Sequence, residues 1–302
     1  MRIKVIQVSG LGNQLFQYAA GRYYSKKFGG DFRIAVSPAE SAVSHGVFAR
    51  PFLLSHFLIA APYAPITRLD RAMLSARRQI QASLALLKKI ARIEIFPEPV
   101  QQRYHFLDSL PIPLETRLLY LLGYWQNYPL VKALELELRS ELAFRHPAEG
   151  KTLAMQRQIE GTPQSVSLHL RRGDYTLAAE GNIALPLSYY ERATAIMESR
   201  LGDPTFFIFS DDMGYAREHL PAGLKKVFVD HNDDFSSHED LRLMSSCQHH
   251  IIANSSFSWW GAWLNSDPAK IVVAPRNWLL TEESCFPDLL PPEWIQLNTI
   301  RG

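Results

Sequence analysis

Along the second half of the chain, short apolar runs alternate with stretches of helical period. The apolar, strand-like runs fall at residues 165–170, 205–209, 226–229, 250–253 and 270–274. Helix-like stretches lie between and after them, at 187–201, 214–220, 239–247 and 257–265. Strands of this kind separated by helices predict a parallel sheet with helices on its faces. Pro186 suits a helix start, and Asp203-Pro204 marks the turn into the next strand.

The first half opens in the same way. A strand at 3–8 leads into Ser9-Gly10-Leu11-Gly12-Asn13-Gln14, and a helix is predicted over 15–27. Beyond it the pattern is less regular. Residues 147–162 are polar and rich in turn formers, which predicts a boundary there. The expected domains are residues 1–150 and 151–302, with a C-terminal tail that returns to the first. Residues 71–92 predict a long basic helix in which Arg71, Arg77, Arg78, Lys88, Lys89 and Arg92 mix with leucines and isoleucine. Such a helix suits either a solvated face of the first domain or peripheral contact with an anionic membrane.

Composition narrows the classes. A chain of 302 residues exceeds the usual single domain, and 47% hydrophobic with 21% charged residues describes an ordinary globular protein. The formal net charge is only +2, so a general nucleic-acid coat is excluded and any anion must be bound locally. Cys247 and Cys285 form no metal-ligand spacing and read as thiols of a reducing compartment. The chain begins directly with a strand and has no apolar run of membrane-spanning length, so a cytoplasmic protein, at most peripheral to the inner face of a membrane, is expected.

In a parallel α/β sheet, ligands bind beyond the carboxyl ends of the strands. Four polar blocks sit at such ends. His169-Leu-Arg171-Arg172-Gly-Asp174-Tyr175 follows the first strand of the second half. Guanidinium groups match phosphate oxygens with a flat fork of donors, so Arg171 and Arg172 predict a diphosphate receptor. His169 reads equally as a ligand contact or as a core residue holding the loop. Asp211 and Asp212 follow the next strand. They suit hydrogen bonds from a base or ribose better than Mg²⁺, which needs several oxygen ligands. Asn254, Ser255 and Ser256 open a helix, where they serve as an N-cap, as an anion site, or as both. The Phe257-Ser-Trp-Trp-Gly-Ala-Trp263 run reads as that helix's buried face, although an aromatic there can stack on a base or sugar. Gly10-Leu-Gly12-Asn13 lacks the third glycine of a dinucleotide fingerprint but permits close backbone approach. His231-Asn-Asp-Asp234 and His249-His250 resemble metal ligands on paper, and a loop and a strand start explain them more simply.

These blocks carry a family resemblance. Gly10-Leu-Gly-Asn-Gln-Leu-Phe-Gln-Tyr18, His169–Tyr175, Ser210-Asp-Asp212 and Asn254-Ser-Ser-Phe-Ser-Trp-Trp-Gly261 resemble the signature blocks of bacterial α-1,2-fucosyltransferases, glycosyltransferase family 11. The one departure is Ser9-Gly10 where two glycines are usual. The resemblance implies a GT-B-like α/β fold, with two Rossmann-like domains facing an interdomain cleft. It implies inverting transfer of L-fucose from GDP-β-L-fucose to the 2-hydroxyl of a terminal galactose in a surface glycan such as O-antigen. No cofactor or obligatory metal is implied. The acceptor would be a galactose-terminated or lipid-linked glycan, met on the N-terminal side. Carried over by position, Arg171 would hold the pyrophosphate, with Arg172 and Asp174 organising the loop. Asp211 or Asp212 would read guanine or ribose, and Asn254, Ser255, Ser256 and Phe257 would line the donor. Gly12, Asn13 and Gln14 would approach from the other domain. Candidate bases are Asp174, His169 and Glu180. Another linkage, another nucleotide sugar and a non-catalytic binder on the same fold remain as alternatives.

Overall fold

The computed structural model describes residues 1–36, 50–75, 91–99, 104–173, 184–279 and 285–299. The chain divides into two compact units, Met1–Arg145 and His146–Gly302.

The first unit is built on a five-stranded parallel sheet. Its strands are β1 (Arg2–Gln7), β2 (Asp31–Val36), β3 (Tyr63–Pro65), β4 (Ile93–Pro97) and β5 (Leu118–Leu122). Their order in space is β3-β2-β1-β5-β4. The helix α1 (Leu11–Phe28) follows β1 almost at once. It starts earlier than the residue pattern suggests, because the Gly10 carbonyl already accepts hydrogen bonds from the Asn13 and Gln14 amides, at 3.0 and 3.1 Å. Gly12, Asn13 and Gln14 are therefore its first turn and not a loop. Gly29, with φ 62°, ends it in the left-handed conformation that glycine adopts without strain.

After β3, α2 (Arg68–Ser75) is closed at its start by Thr67 and Asp70. The Asp70 amide donates to Thr67 Oγ1, and the Asp70 carboxylate accepts from the Thr67 amide. Asp70 is buried and also takes Lys4 Nζ at 2.7 Å and the Tyr120 hydroxyl at 2.7 Å, which ties α2 to β1 and β5. Residues 76–90 of the expected basic helix lie outside the described residues. None of the described helices is long and apolar enough to cross a membrane. Two short helices, α3 (Tyr128–Ala133) and α4 (Glu135–Glu141), complete the unit.

A six-stranded parallel sheet forms the second unit. Its strands are β6 (Ser165–Leu170), β7 (Thr205–Ser210), β8 (Lys226–Phe228), β9 (His249–Ile251), β10 (Val272–Pro275) and β11 (Ile295–Leu297). They lie in the order β11-β10-β9-β6-β7-β8. The helices are α5 (Gly150–Glu160), α6 (Leu187–Leu201), α7 (Met213–His219), α8 (Ser237–Ser246) and α9 (Ser256–Leu264). The segment 147–162, turn-rich in sequence, is thus mostly a helix. Its Gly150 and Gly161 mark the ends of α5, whose Met155 and Ile159 pack with Phe207, Phe209 and Leu243. The strand β11 was not legible in the pattern, being only three residues beside a proline-rich stretch.

Every residue of β6 is buried, including Ser165, Ser167 and His169. Alternation along the strand sends Val166, Leu168 and Leu170 to the core that also contains Tyr189, Ala193 and Met197 of α6. The polar residues face the other side, where Ser165 and Ser167 are given partners, Ser165 Oγ accepting the Gln248 amide. Ser167 Oγ lies 2.8 Å from His250 Nδ1, and His250 Nε2 lies 2.9 Å from the Asn265 side-chain amide. The amide donates to Nε2, so Nδ1 carries the proton and donates to Ser167. Burial pushes the His250 imidazole well below its ordinary pKa, with Lys270 and His249 adding to the effect. A neutral ring in one tautomer therefore clamps β6 to β9. His249 is likewise spent on hydrogen bonds, to Gln164 and the Ile271 amide. Removing the clamp strands a buried acceptor, so Asn265→Ala is expected to destabilise the second unit by about 2 kcal/mol in urea unfolding. A change below about 0.5 kcal/mol is the range of an ordinary surface substitution and would count against the clamp.

Candidate functional site

The chain runs β6, β7, β8 to one side of the second sheet, then returns to place β9, β10 and β11 on the other. Loops leaving β6 and β9 therefore diverge, and that switch point is where open α/β sheets bind ligands. Two of the blocks singled out from sequence leave these strands. The β6 loop carries Arg171, Arg172 and Gly173, and the β9 loop leads through Asn254 and Ser255 into α9.

Arg171 Nη1 lies 3.0 Å from Asp211 Oδ2. The other Asp211 oxygen accepts the Arg172 backbone amide at 2.8 Å. One carboxylate thus fixes both the side chain of the first arginine and the main chain of the second. The fit requires a glycine next door, since a Cβ on Gly173 would stand 2.5 Å from Asp211 Oδ2. Arg172 turns the other way. Its guanidinium lies 3.5 Å from the centre of the Tyr215 ring, and its Nε is 3.4 Å from Asp212 Oδ2. Asp212 also caps α7 by accepting the Tyr215 amide at 3.0 Å. Both aspartates are therefore engaged with the arginine loop, a role that neither metal binding nor base reading foresaw.

His169 is buried beneath this pair, and its ring lies 5.8 Å from Phe257. Among the described residues its Nδ1 has no hydrogen-bond partner. Burial first, and the Arg171 charge second, pull its pKa from 6.5 to about 4, against the opposing pull of Asp211. At neutral pH the ring is uncharged. On the β9 side, Ser255 caps α9, its Oγ accepting the Phe257 amide at 3.3 Å. Asn254 anchors the loop by donating to the Trp278 carbonyl at 3.0 Å. Trp259, Trp260 and Trp263 are buried in the core as the sequence pattern suggests. The α9 N-terminus, with its amides and dipole, stands beside the strand that carries His169.

Asp174 and Glu180 lie outside the described residues. Gly12, Asn13 and Gln14 belong to the first unit. There the Gln14 side chain is occupied, donating to the Ser9 and Pro51 carbonyls and accepting the Leu53 amide. Among the described residues no group of three or more His, Cys, Asp or Glu is arranged to hold a metal ion. Asp233 of the His231–Asp234 stretch instead caps its own loop, accepting the Phe235 and Ser236 amides.

Two residues near these strand ends escaped the sequence reading. Tyr215 lies one turn into α7, and nothing in sequence marks it as a platform for an arginine three-dimensionally adjacent. Asp240 sits in the first turn of α8, bonded to Asn232 Nδ2 at 2.6 Å. Burial pushes its pKa up to about 6, with Glu239 and Asp233 adding to the shift. A carboxyl so perturbed at this edge of the sheet is a functional candidate by its chemistry.

Two parallel α/β units, one with a pair of anchored arginines at its switch point, define a GT-B-like architecture. The fucosyltransferase NodZ from Bradyrhizobium shares the fold, with a TM-score of 0.51 at 11% identity over 86% of this chain and 91% of NodZ. The model of glycosyl transferase family 11 matches residues 64–298, and the chain belongs to that family. It is 28% identical to the O-antigen biosynthesis glycosyltransferase WbnK of Escherichia coli, covering 95% of this chain and 98% of that one. To an alpha-1,2-colitosyltransferase of the same species it is 27% identical, covering 99% and 100%. A mouse galactoside 2-alpha-L-fucosyltransferase, Sec1, is 27% identical over 60% of this chain and 52% of its own.

The His169 environment sets a sign for pH. Its folded value lies below the ordinary one, so between pH 6.5 and about 4 the unfolded chain binds the proton more tightly. Its contribution to stability is lost as pH falls through that window, by up to about 1.4 kcal/mol per pH unit. Asp240 has the opposite sign there, so the comparison must be made against a single variant. Relative to His169→Gln, the native protein is expected to lose stability steadily from pH 6.5 to 4 in urea titrations. A pH-independent difference would remove the assignment.

Proposed function

We propose that this glycosyltransferase transfers L-fucose from GDP-β-L-fucose, with inversion, to the 2-hydroxyl of a terminal galactose in an O-antigen or related surface glycan. The observation that carries this reading is the Arg171–Asp211 pair set beside the α9 N-terminus at the β6/β9 switch point. As the bond between the sugar C1 and the phosphate oxygen breaks, negative charge grows on the β-phosphate. A fixed guanidinium and a helix N-terminus stabilise that charge without reorganising in the transition state. Asp211 supplies the fixing, and the chemistry then needs no obligatory metal. The acceptor oxygen attacks C1 from the face opposite the departing GDP, which inverts the configuration. Its proton passes to a base or to solvent. With a pKa of about 4, His169 is a weak base, so we assign it to positioning Arg171 and keep Asp174 as the candidate base.

Membership of family 11 and the names of the relatives support fucosyl-type transfer to a 2-hydroxyl. The similarity to a colitosyltransferase favours one second reading, in which the donor carries the 3-deoxy counterpart of fucose. The discriminating experiment incubates the protein, in EDTA, with GDP-fucose or its 3-deoxy counterpart and a panel of β-galactosides, and determines the product linkage. A fucosyl-α-1,2-galactose product is expected. Preference for the 3-deoxy donor would move the assignment to the second reading, a metal requirement would overturn the electrostatic account, and binding without turnover would make the protein a glycan or nucleotide binder. Removing a donor of this kind costs about a hundredfold or more in rate, so Arg171→Ala is expected to lose transfer by at least that factor. Retained transfer would show that another group meets the phosphate.

A further inference from the structure

The first unit has a polar cluster at the carboxyl ends of its own strands. Its chain leaves β1 toward β2 and β3, then crosses to the far edge and returns as β4 and β5, which places β5 beside β1. The segment after β5 stays next to the one after β1, since α3 packs on α1, so both loops stand together at the end of the sheet where α/β folds bind ligands. They are braced against each other. Gln17 of α1 accepts the Val8 amide at 3.3 Å and donates to the Gly123 carbonyl at 2.9 Å. The Glu98 carboxylate accepts the Tyr124 and Trp125 amides at 2.8 and 2.9 Å.

Within this frame runs a chain of neutral groups. Asn13 Nδ2 donates to Ser9 Oγ at 2.9 Å, which leaves Asn13 Oδ1 to accept Gln126 Nε2 at 2.6 Å. The orientation of the Gln126 amide is thereby set. Its other atom, Oε1, has no hydrogen-bond partner among the described residues, although the residue is only 7% exposed. A buried amide oxygen left unsatisfied is costly, and such orphans call for an explanation. A ligand that donates a hydrogen bond supplies one.

The chemistry of the orphan limits the ligand. A carbonyl oxygen repels phosphate and carboxylate oxygens and accepts only from N–H or O–H. The groups hydrogen-bonded in line with it, Asn13 and Ser9, are uncharged, and the Glu98 carboxylate on the preceding Tyr124 and Trp125 amides adds negative charge that further disfavours an anion. A sugar hydroxyl fits. Two sugars take part in the reaction proposed above, on which this inference rests. The donor sugar is tethered to the diphosphate, which we assign to the arginine loop of the second unit. The neutral partner of the reaction is the acceptor. We propose that Gln126 is a specificity residue for the acceptor sugar: its Oε1 accepts a hydrogen bond from a hydroxyl of the galactose that receives the transferred residue, with Asn13 and Ser9 holding the amide in register.

Three measurements on the full chain test this. Saturation-transfer NMR compares binding of a β-galactoside to the native protein and to Gln126→Met, which keeps the side-chain length and removes the acceptor. Steady-state kinetics gives KM for both substrates. Monodeoxy galactosides are then run on each protein. Loss of one such bond corresponds to about tenfold or more. We expect the variant to weaken galactoside binding and raise its KM by that factor, while KM for GDP-fucose stays within about twofold. One of the 3-, 4- or 6-deoxy galactosides should show the same loss on the native protein and little further loss on the variant. This last comparison reads the native protein directly, so it stands even if the variant folds poorly. Equal galactoside binding by both proteins, no deoxy-sensitive position, or a loss confined to GDP-fucose would each overturn the proposal. If the native protein fails to turn over GDP-fucose while galactoside binding still depends on Gln126, the proposed reaction falls and the sugar site stands.

Discussion

Everything at the candidate site depends on how β6 and β9 are held together. They are neighbours in space but far apart in sequence, and the chain leaves their carboxyl ends in opposite directions. Backbone pairing sets Leu168 opposite Ile251. The buried Ser167–His250–Asn265 relay then locks the pair from the side, using a histidine that burial keeps neutral. A protonated ring would have no acceptor to offer Asn265, so the clamp depends on the same desolvation that lowers the pKa. With these strands fixed, the first residues beyond them have little freedom. His169 and Arg171 stand on one side of the switch point and Asn254 through Phe257 on the other.

Charge is then placed with economy. A guanidinium left loose would lose rotamer freedom and hydration whenever it met a ligand. Asp211 restrains Arg171 in advance, and Tyr215 does the same for Arg172 through its ring face. Gly173 makes room for the carboxylate that holds them. The ends of β1 and β5 in the first unit carry other chemistry, with amides and a hydroxyl in place of cations. The two units thus present different groups at their strand ends, guanidinium groups in one and uncharged amides in the other.

Much of the second unit was legible from periodicity. The strand at 165–170 and the helix at 187–201 were found with their bounds, because long runs of uniform burial or strong helical period dominate local propensity. Weak local signals caused the misses. Glycine and asparagine at positions 12 and 13 mask the start of α1, which forms because Gly10 accepts the first helical bonds. The turn-rich stretch 147–162 predicts a boundary, and the units divide just before it, but its residues mostly form α5, whose packing on Phe207 and Leu243 outweighs their weak local preference. Residues Asp211 and Asp212 were found at the right strand end. Their partners were not, because ion pairs between separate loops leave no trace in spacing.

The parallel α/β class, the polar blocks at strand ends and the resemblance to family 11 are all readable along the chain. These are properties of residue order, carried by periodicity and by short contiguous motifs. Folding alone brings particular charges together, keeps His169 and His250 neutral, and leaves the Gln126 oxygen beside α1 without a partner among the described residues. Each of these depends on burial and on contacts between residues up to more than a hundred positions apart. Desolvation and hydrogen-bond geometry act through space, and no local pattern in the chain encodes them.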